Sequence, residues 1–395
     1  MRGHYLPKTW TADPTLYAPA KYRRACRYDA FVPDIVAGLE LALPGDVAGV
    51  VSEAEQSVAE LNRTAGSELA PLARLLLRTE SIASSKVEGI QVDARQLARA
   101  QANQETGRPV GPEAAEILAN IDAMQLAIEQ ASTLDGIRPR DLIAIHRALL
   151  EHAPNSATAG RLRDSQNWIG GNDYNPCGAS FVPPPHSDVK RLLDDLCAFV
   201  NDDTLPPIVQ AALAHAQFET IHPFEDGNGR TGRALVQVVL RRRGLAPAFV
   251  PPISVALARN KDRYLEGLTL FREDRLSEWI ERFASAAAQA AQLASRYAVR
   301  VGQLQDRWRA QLSAAGAPRS DAAAWNVIDV LPGHPVITVA VAVAATHRTR
   351  PAVANALREL EAAGVLASVT KSERNRSWEA SDLLDLVVGL EAGER

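Results

Sequence analysis

From Pro44 to about Arg300, apolar residues recur at intervals of three and four in block after block, and one segment breaks the pattern. The blocks run from Pro44 to about Ala102, Pro112 to about Ser132 and Arg140 to His152, then Asp188 to Val200 and Pro207 to His222. They resume after Asn228 to about Arg243, at Leu257 to Phe271, and in the alanine-rich stretch Leu276 to Arg300. Leu69, Leu72, Leu75, Leu76 and Ile82 line one helical face. The exception is 160–185, where Gly170-Gly171, Asn175-Pro176 and Pro183-Pro184-Pro185 are turn and short-hairpin chemistry. Ahead of the helices, Pro7, Pro14, Pro19 and Pro33 rule out one long helix and predict an irregular, packed arm. The expected fold is mainly α with a small β-hairpin.

After Pro318 the pattern changes. Short helices are expected at Ala322–Leu331, Thr338–Ala345 and Pro351–Ala363, with a turn at His347-Arg348-Thr349 and a hairpin tip at 371–376. That order is the order of a winged helix-turn-helix. A chain of 395 residues exceeds one ordinary core. Three regions are expected: 1–105, helical; 106–300, the main helical body; and 318–395, the winged unit. A net charge of -4 gives no global pull toward nucleic acid or membranes, so any such contact must be local. Cys26, Cys177 and Cys197 are few and odd in number and read as free thiols in a reducing compartment. With no membrane-length apolar run, a cytoplasmic protein without membrane contact is expected.

The chemistry concentrates in Ile221-His222-Pro223-Phe224-Glu225-Asp226-Gly227-Asn228-Gly229-Arg230-Thr231-Gly232-Arg233. Gly227-Asn228-Gly229 can bend sharply and bring backbone N–H groups to a ligand, and a helix start follows at once. Together these make an anion site. Arg230 and Arg233, three apart, project from nearly one face and suit several phosphates. Asp226 is a hard oxygen ligand for the Mg²⁺ a polyphosphate carries. His222 is the group of this run able to accept a proton near neutral pH. A plain loop held by caps and salt bridges needs no such ordered set, and phosphate-ester transfer is its natural reaction.

This run resembles the Fic signature, His-x-Phe-x-Asp/Glu-Gly-Asn-Gly-Arg-x-x-Arg, at every fixed position. The resemblance implies protein adenylyltransfer, with AMP moving from ATP to a Ser, Thr or Tyr hydroxyl of a target protein. By that likeness His222 is the general base and Asp226 holds Mg²⁺ between the α- and β-phosphates. Gly227, Asn228 and Gly229 line the anion hole, Arg230 meets the β-phosphate and Arg233 the γ-phosphate, and Phe224 anchors the loop. Trp168-Ile169-Gly170-Gly171 through Pro185 resembles the family's flap, which docks the target segment by backbone pairing. Ser84-Ser85-Lys86-Val87-Glu88-Gly89 is similar to the inhibitory pattern Ser/Thr-x-x-x-Glu-Gly/Asn. Its glutamate would occupy the γ-phosphate's place on Arg233. Three other readings stay open: removal of AMP, transfer of another phosphate group, and a DNA-binding regulator that only senses nucleotide. Doc-like relatives bind the nucleotide reversed and differ near the anion hole, so Gly229 favours AMP transfer.

His146 and His215 read as core or supporting groups, and His186, His334 and His347 as loop residues. In the C-terminal unit, Arg348, Arg350, Asn355 and Arg358, with Lys371, Arg374 and Arg376 on the wing, could meet DNA. Glu359, Glu361 and Glu373 dilute that charge, so DNA binding and protein contact both remain open, as does a homodimer.

Overall fold

The computed structural model describes residues 3–63, 70–105, 107–151, 153, 155–316, 318–369 and 376–392. Leu69, His152, Lys371, Glu373 and Arg374 lie outside these. Helices dominate, as expected. The N-terminal part contains β1 (Gly3–Trp10), β2 (Cys26–Pro33), α1 (Gly45–Arg63), α2 (Ala70–Val87), α3 (Ala94–Glu105) and α4 (Pro112–Thr133). The middle holds α5 (Pro139–Leu150), α6 (His186–Val200), α7 (Pro207–Ile221), α8 (Asn228–Arg242), α9 (Ile253–Arg259), α10 (Lys261–Arg272) and α11 (Leu276–Gly316). The remainder is α12 (Ala323–Val330), β3 (Val336–Thr338), α13 (Val339–Thr346), α14 (Arg350–Ala362), β4 (Ala367–Ser368), β5 (Ser377–Glu379) and α15 (Ser381–Ala392). Among the described residues no helix is long and apolar enough to cross a membrane. The chain divides into two compact units. One comprises Met1–Ser52, Leu126–Arg243 and Lys261–Ser285; the other comprises Glu53–Gln125, Gly244–Asn260 and Ala286–Arg395.

In the first unit α7 is the central element, with every residue from Ile208 to Ile221 buried. It packs against α6, α8, α10 and β2. A helix with no wet face must satisfy its polar side chains internally. Gln210 donates to the Phe199 carbonyl at 2.8 Å, Gln217 to the Asp34 carbonyl at 2.9 Å and Thr220 to the Ala216 carbonyl at 2.8 Å. His215 is buried, one of the core groups expected, and meets the Tyr264 hydroxyl at 3.0 Å.

Two expectations fail in this unit. The N-terminal arm is not irregular: β1 and β2 form an antiparallel ribbon running from Gly3 opposite Pro33 to Trp10 opposite Cys26. Both strands are edges, which is where a sheet tolerates Pro7 and Pro33. The free thiols are also wrong for two of the three cysteines. Cys26, at the start of β2, is bonded to Cys177 in the 160–185 segment, 151 residues away, with Cα atoms 6.3 Å apart. The argument from free thiols to a reducing compartment therefore falls. Cys197 is free and buried, and burial pushes its thiol up to about 12. Helix limits differ as well: the block expected at Leu257–Phe271 is broken at Asn260, and α11 runs on to Gly316.

In the second unit α2 buries Leu72, Leu75, Leu76, Ile82 and Val87. Buried Glu80 accepts from the Ser254 amide at 2.8 Å and its hydroxyl at 2.6 Å, tying α2 to α9. Asn120 of α4 donates to the Ser81 carbonyl at 2.8 Å and the Ser85 hydroxyl at 3.1 Å. Further along, α12, α13 and α14 pack on one another beside a sheet of order β3-β5-β4. Ala98, Ala102, Val336 and Leu384 join α3 to β3 and α15. Buried Glu379 accepts from Arg95 and, at 2.8 Å, from Arg99.

His334 accepts from Arg74 at 2.8 Å, so its ring is neutral there. Burial, with Arg74 and Arg78 nearby, pushes it down to about 4. A histidine whose folded pKa lies below its unfolded value stabilises the fold above about 6.5 and loses that contribution as the pH falls toward 4. Discounted for the part of the ring that reaches solvent, the loss by pH 4.5 should be about 1–2 kcal/mol. Denaturant midpoints at pH 7 and 4.5 check this: the acid-induced drop should shrink in His334→Gln.

Candidate active site

Helix α7 ends at His222, whose backbone is left-handed (φ 49, ψ 61), and α8 starts one residue after Gly227, also left-handed (φ 74). The two reversals fold the intervening loop back on itself. Gly227 is needed for its dihedral and for space, since a Cβ would stand 3.1 Å from Leu149 Cδ2. Asn228 locks the loop with its side chain: Oδ1 accepts from the Phe224 amide at 2.9 Å and Nδ2 donates to the Phe224 carbonyl at 2.8 Å. Phe224 is fully buried, the anchor expected of it, and stacks on His146 with centroids 3.7 Å apart.

The environment of His146 fixes its tautomer. Nδ1 accepts from the Gly160 amide at 3.0 Å, so Nε2 carries the proton and donates to the Asp226 carbonyl at 2.9 Å. Burial pushes its pKa down to about 4, keeping the ring neutral. The sequence placed His146 among core or supporting groups; the structure makes it a strut of the loop.

Arg163 was not singled out from sequence, yet it ties the site together. Its amide donates to the Pro223 carbonyl at 3.0 Å. The guanidinium donates to the carbonyls of His222 at 2.8 Å, Ser165 at 3.0 Å and Ile221 at 3.4 Å, and also to that of Pro184. Burial lowers its pKa to about 10, so it stays charged at neutral pH. Asn167 donates to the Phe224 carbonyl at 2.9 Å, Asn155 to Asp226 Oδ2 at 2.7 Å, and Ser165 to Glu225 Oε1 at 2.9 Å. No local sequence signal marks these residues, because, the Ser165 carbonyl aside, their partners lie 21 to 71 positions away.

This frame brings Asp226 and Arg230 close together. Arg230 and Arg233 are 3% and 2% exposed on α8. The Asp226 side chain is 56% exposed and lies 3.9 Å from Arg230. Its Oδ1 accepts from the Gly227 amide at 2.6 Å. Among the described residues no group of three or more His, Cys, Asp or Glu gathers as a metal cage. One solvent-reaching carboxylate fits Mg²⁺, which usually takes one or two protein carboxylates and completes its shell with substrate phosphates and water. Gly232, between the two arginines, has no spare room: a Cβ would lie 2.7 Å from Glu219 Oε1 and 3.0 Å from Phe218 Cδ1. Gly232→Ala should cost about 1–3 kcal/mol of stability, measured by thermal melting.

The 160–185 segment forms a short antiparallel bridge between Ile169 and Phe181, with the Ile169 amide on the Phe181 carbonyl at 2.8 Å. Trp168 is half-buried edge-on against Trp10 at 5.7 Å, while Ile169 is 40% exposed. A Cβ on Gly171 would meet the Gly178 carbonyl at 2.9 Å, so that glycine is needed for close backbone approach, while Gly170 is needed for its left-handed backbone (φ 73). The Phe31 amide donates to the Val182 carbonyl at 2.9 Å. The N-terminal ribbon therefore braces this hairpin, together with the disulfide.

Ser84, Glu88 and Gly89 belong to the second unit. Ser84 is fully buried and Glu88 exposed just past α2. The Gly89 amide donates to the Lys86 carbonyl and the Ile90 amide to the Ser85 carbonyl, with Gly89 at φ 88. This pair of bonds is the Schellman helix stop, which calls for glycine at Gly89 and sets Glu88 at the C-cap.

Residues 136–240 match the Fic/DOC family model and residues 49–129 the Fic/DOC family N-terminal model. Protein adenylyltransferase fic-1 of Caenorhabditis elegans is 35% identical over 120 residues, 30% of this chain and 22% of that one. Protein adenylyltransferase Fic of Drosophila yakuba is 30% identical over 203 residues, 50% of this chain and 38% of that one. The matches thus span well under half of these curated relatives. A Fic family protein from Desulfovibrio desulfuricans G20 superposes with TM-score 0.52 at 21% identity, covering 86% of this chain and 97% of that one. Fic-1 from Caenorhabditis elegans does so at 0.50 and 21% identity, covering 65% and 74%.

Proposed function

We propose that this chain, which belongs to the Fic/DOC family through its domain at residues 136–240 and its N-terminal region at 49–129, is a protein adenylyltransferase. It moves AMP from ATP to a hydroxyl of a target protein. The observation that carries the reading is the double left-handed turn. By reversing the chain at His222 and again at Gly227, it sets an imidazole, a carboxylate and a helix start bearing two buried arginines on one rigid loop.

In the reaction the target's hydroxyl oxygen attacks the α-phosphorus, the bond to the bridging oxygen breaks, and pyrophosphate leaves. His222 accepts the hydroxyl proton. The N–H groups at the start of α8 hold the phosphates, with Arg230 on the β-phosphate and Arg233 on the γ-phosphate, so the leaving group's charge is met by preorganised donors. Asp226 would hold Mg²⁺, which neutralises phosphate charge when bound. Trp168, Ile169, Gly170 and Gly171 present the target segment, and Ile169's exposed place at the bridge suits pairing with an added strand. Glu88 is the inhibitory carboxylate, competing with the γ-phosphate for Arg233, and its position at the C-cap of α2 supports that reading.

Transfer from α-labelled and γ-labelled ATP, by the chain and by Glu88→Gly, tests this. Label from the α position, at least tenfold stronger in the variant, is expected. Transfer of the γ label would replace the proposal with a kinase, and loss of label from a pre-modified target with removal of AMP.

A further inference from the structure

The C-terminal part of the second unit is unused by this chemistry. Its elements run α12, β3, α13, α14, β4, β5, with β5 between β3 and β4. Helix α14 follows α13 after a turn at 347–349 and buries Val353, Ala356, Leu357 and Leu360 against α12 and α13. Its other face is exposed. Pro351, Asn355, Arg358 and Ala362 form a stripe there, with Arg350 on one flank and Glu359 on the other, and Arg348 stands exposed in the turn before.

The charge on this face is more one-sided than the sequence suggested. Glu361 is taken up by Arg376 at 2.6 Å and by the Trp378 indole at 3.0 Å, so it does not oppose the outward arginines. The same bond draws Arg376 onto the body of the module. Arg348, which donates to Asn326 Oδ1 at 2.8 Å, Arg350, and Arg358, which donates to Asn355 Oδ1 beside it, are exposed with Glu359 as the one exposed acid of 347–362.

We infer that this part of the chain is a winged helix-turn-helix that binds duplex DNA, with α14 in the major groove. Residue chemistry selects DNA over a protein partner. Protein interfaces center on aromatic or aliphatic anchors, and no large apolar side chain is exposed between residues 323 and 368. Arginine and asparagine are the side chains that read guanine and adenine edges in pairs of bonds, and Asn355 and Arg358 share one stripe. Arg348 and Arg350, at the start of the helix, suit flanking phosphates. The module has a firm base, because Glu379 is held by Arg95 and Arg99 of α3.

The test is fluorescence anisotropy of the full chain with a labelled mixed-sequence 30-base-pair duplex, without ATP, titrated with salt. Because no nucleotide is present, the result is independent of adenylyl transfer. Micromolar binding is expected near 50 mM salt. Arg350→Ala/Arg358→Ala should weaken it at least tenfold and make the slope of log affinity against log salt shallower by up to about 2 units. Glu359→Gln should tighten it severalfold; all three positions are exposed, so the fold should stand. Absence of binding at 50 mM salt overturns the inference. So does equal binding by wild type and both variants, or capture of a protein partner through α14 with no DNA affinity.

Discussion

His222→Ala, made in the Glu88→Gly background, should lower AMP transfer by a factor of about 10²–10⁴, the range a positioned general base contributes. ATP affinity should stay within about twofold, since the groups proposed to hold the phosphates belong to α8 and the 226–229 turn. The split matters. A residue that merely shaped the loop would change both, whereas His222 holds its turn through its backbone, by a left-handed dihedral and a carbonyl bonded to Arg163 at 2.8 Å. Transfer rates under saturating ATP, alongside calorimetric ATP binding, separate the two. Equal losses in both would demote His222 to a structural residue.

The second large effect is expected at Arg163. Its guanidinium serves four backbone carbonyls, from Ser165, Pro184, Ile221 and His222, inside a site where the residue is 4% exposed. Each buried carbonyl left without a donor costs about 1–3 kcal/mol, partly recovered by entering water. Arg163→Ala should therefore destabilise the chain by about 3–5 kcal/mol, and transfer should collapse even in the folded fraction because His222 loses its hold. Arg163→Lys should rescue little: an ammonium cannot fork to carbonyls on both sides of the site. Thermal melting and single-turnover transfer read the two losses. A fully active Arg163→Lys would contradict this account of the turn.

The two arginines differ in how far the sequence reveals them. Arg233 belongs to a run in which the proposed base, the glycine turn and the proposed phosphate clamps are neighbours, so the pattern is readable within twelve residues. Arg163 acts through carbonyls up to 59 positions away, and no local pattern announces that. The same contrast explains the other misses. Cys26 and Cys177 are joined only because the N-terminal ribbon packs beside the 160–185 hairpin, a long-range event that cysteine counting cannot supply. The ribbon itself was obscured by prolines that forbid a helix but are tolerated on edge strands. Helices with a wet and a dry face were legible from periodicity; α7 was legible as a helix by the same means, but not its burial all round. The break at Asn260 leaves the apolar period nearly intact and was invisible. Gly89 was readable as part of the Ser84–Gly89 pattern, while its place in a helix stop rests on a backbone dihedral the sequence does not show.

The central claim is that one bent turn and one helix start gather a triphosphate beside an imidazole. A crystal structure of Glu88→Gly with Mg²⁺ and a non-hydrolysable ATP analogue tests it most directly. The β- and γ-phosphates should sit on the α8 N-terminus against Arg230 and Arg233, leaving the α-phosphorus open toward His222. A nucleotide lying reversed, with its γ-phosphate nearest His222, or bound away from the 226–229 turn, would contradict it.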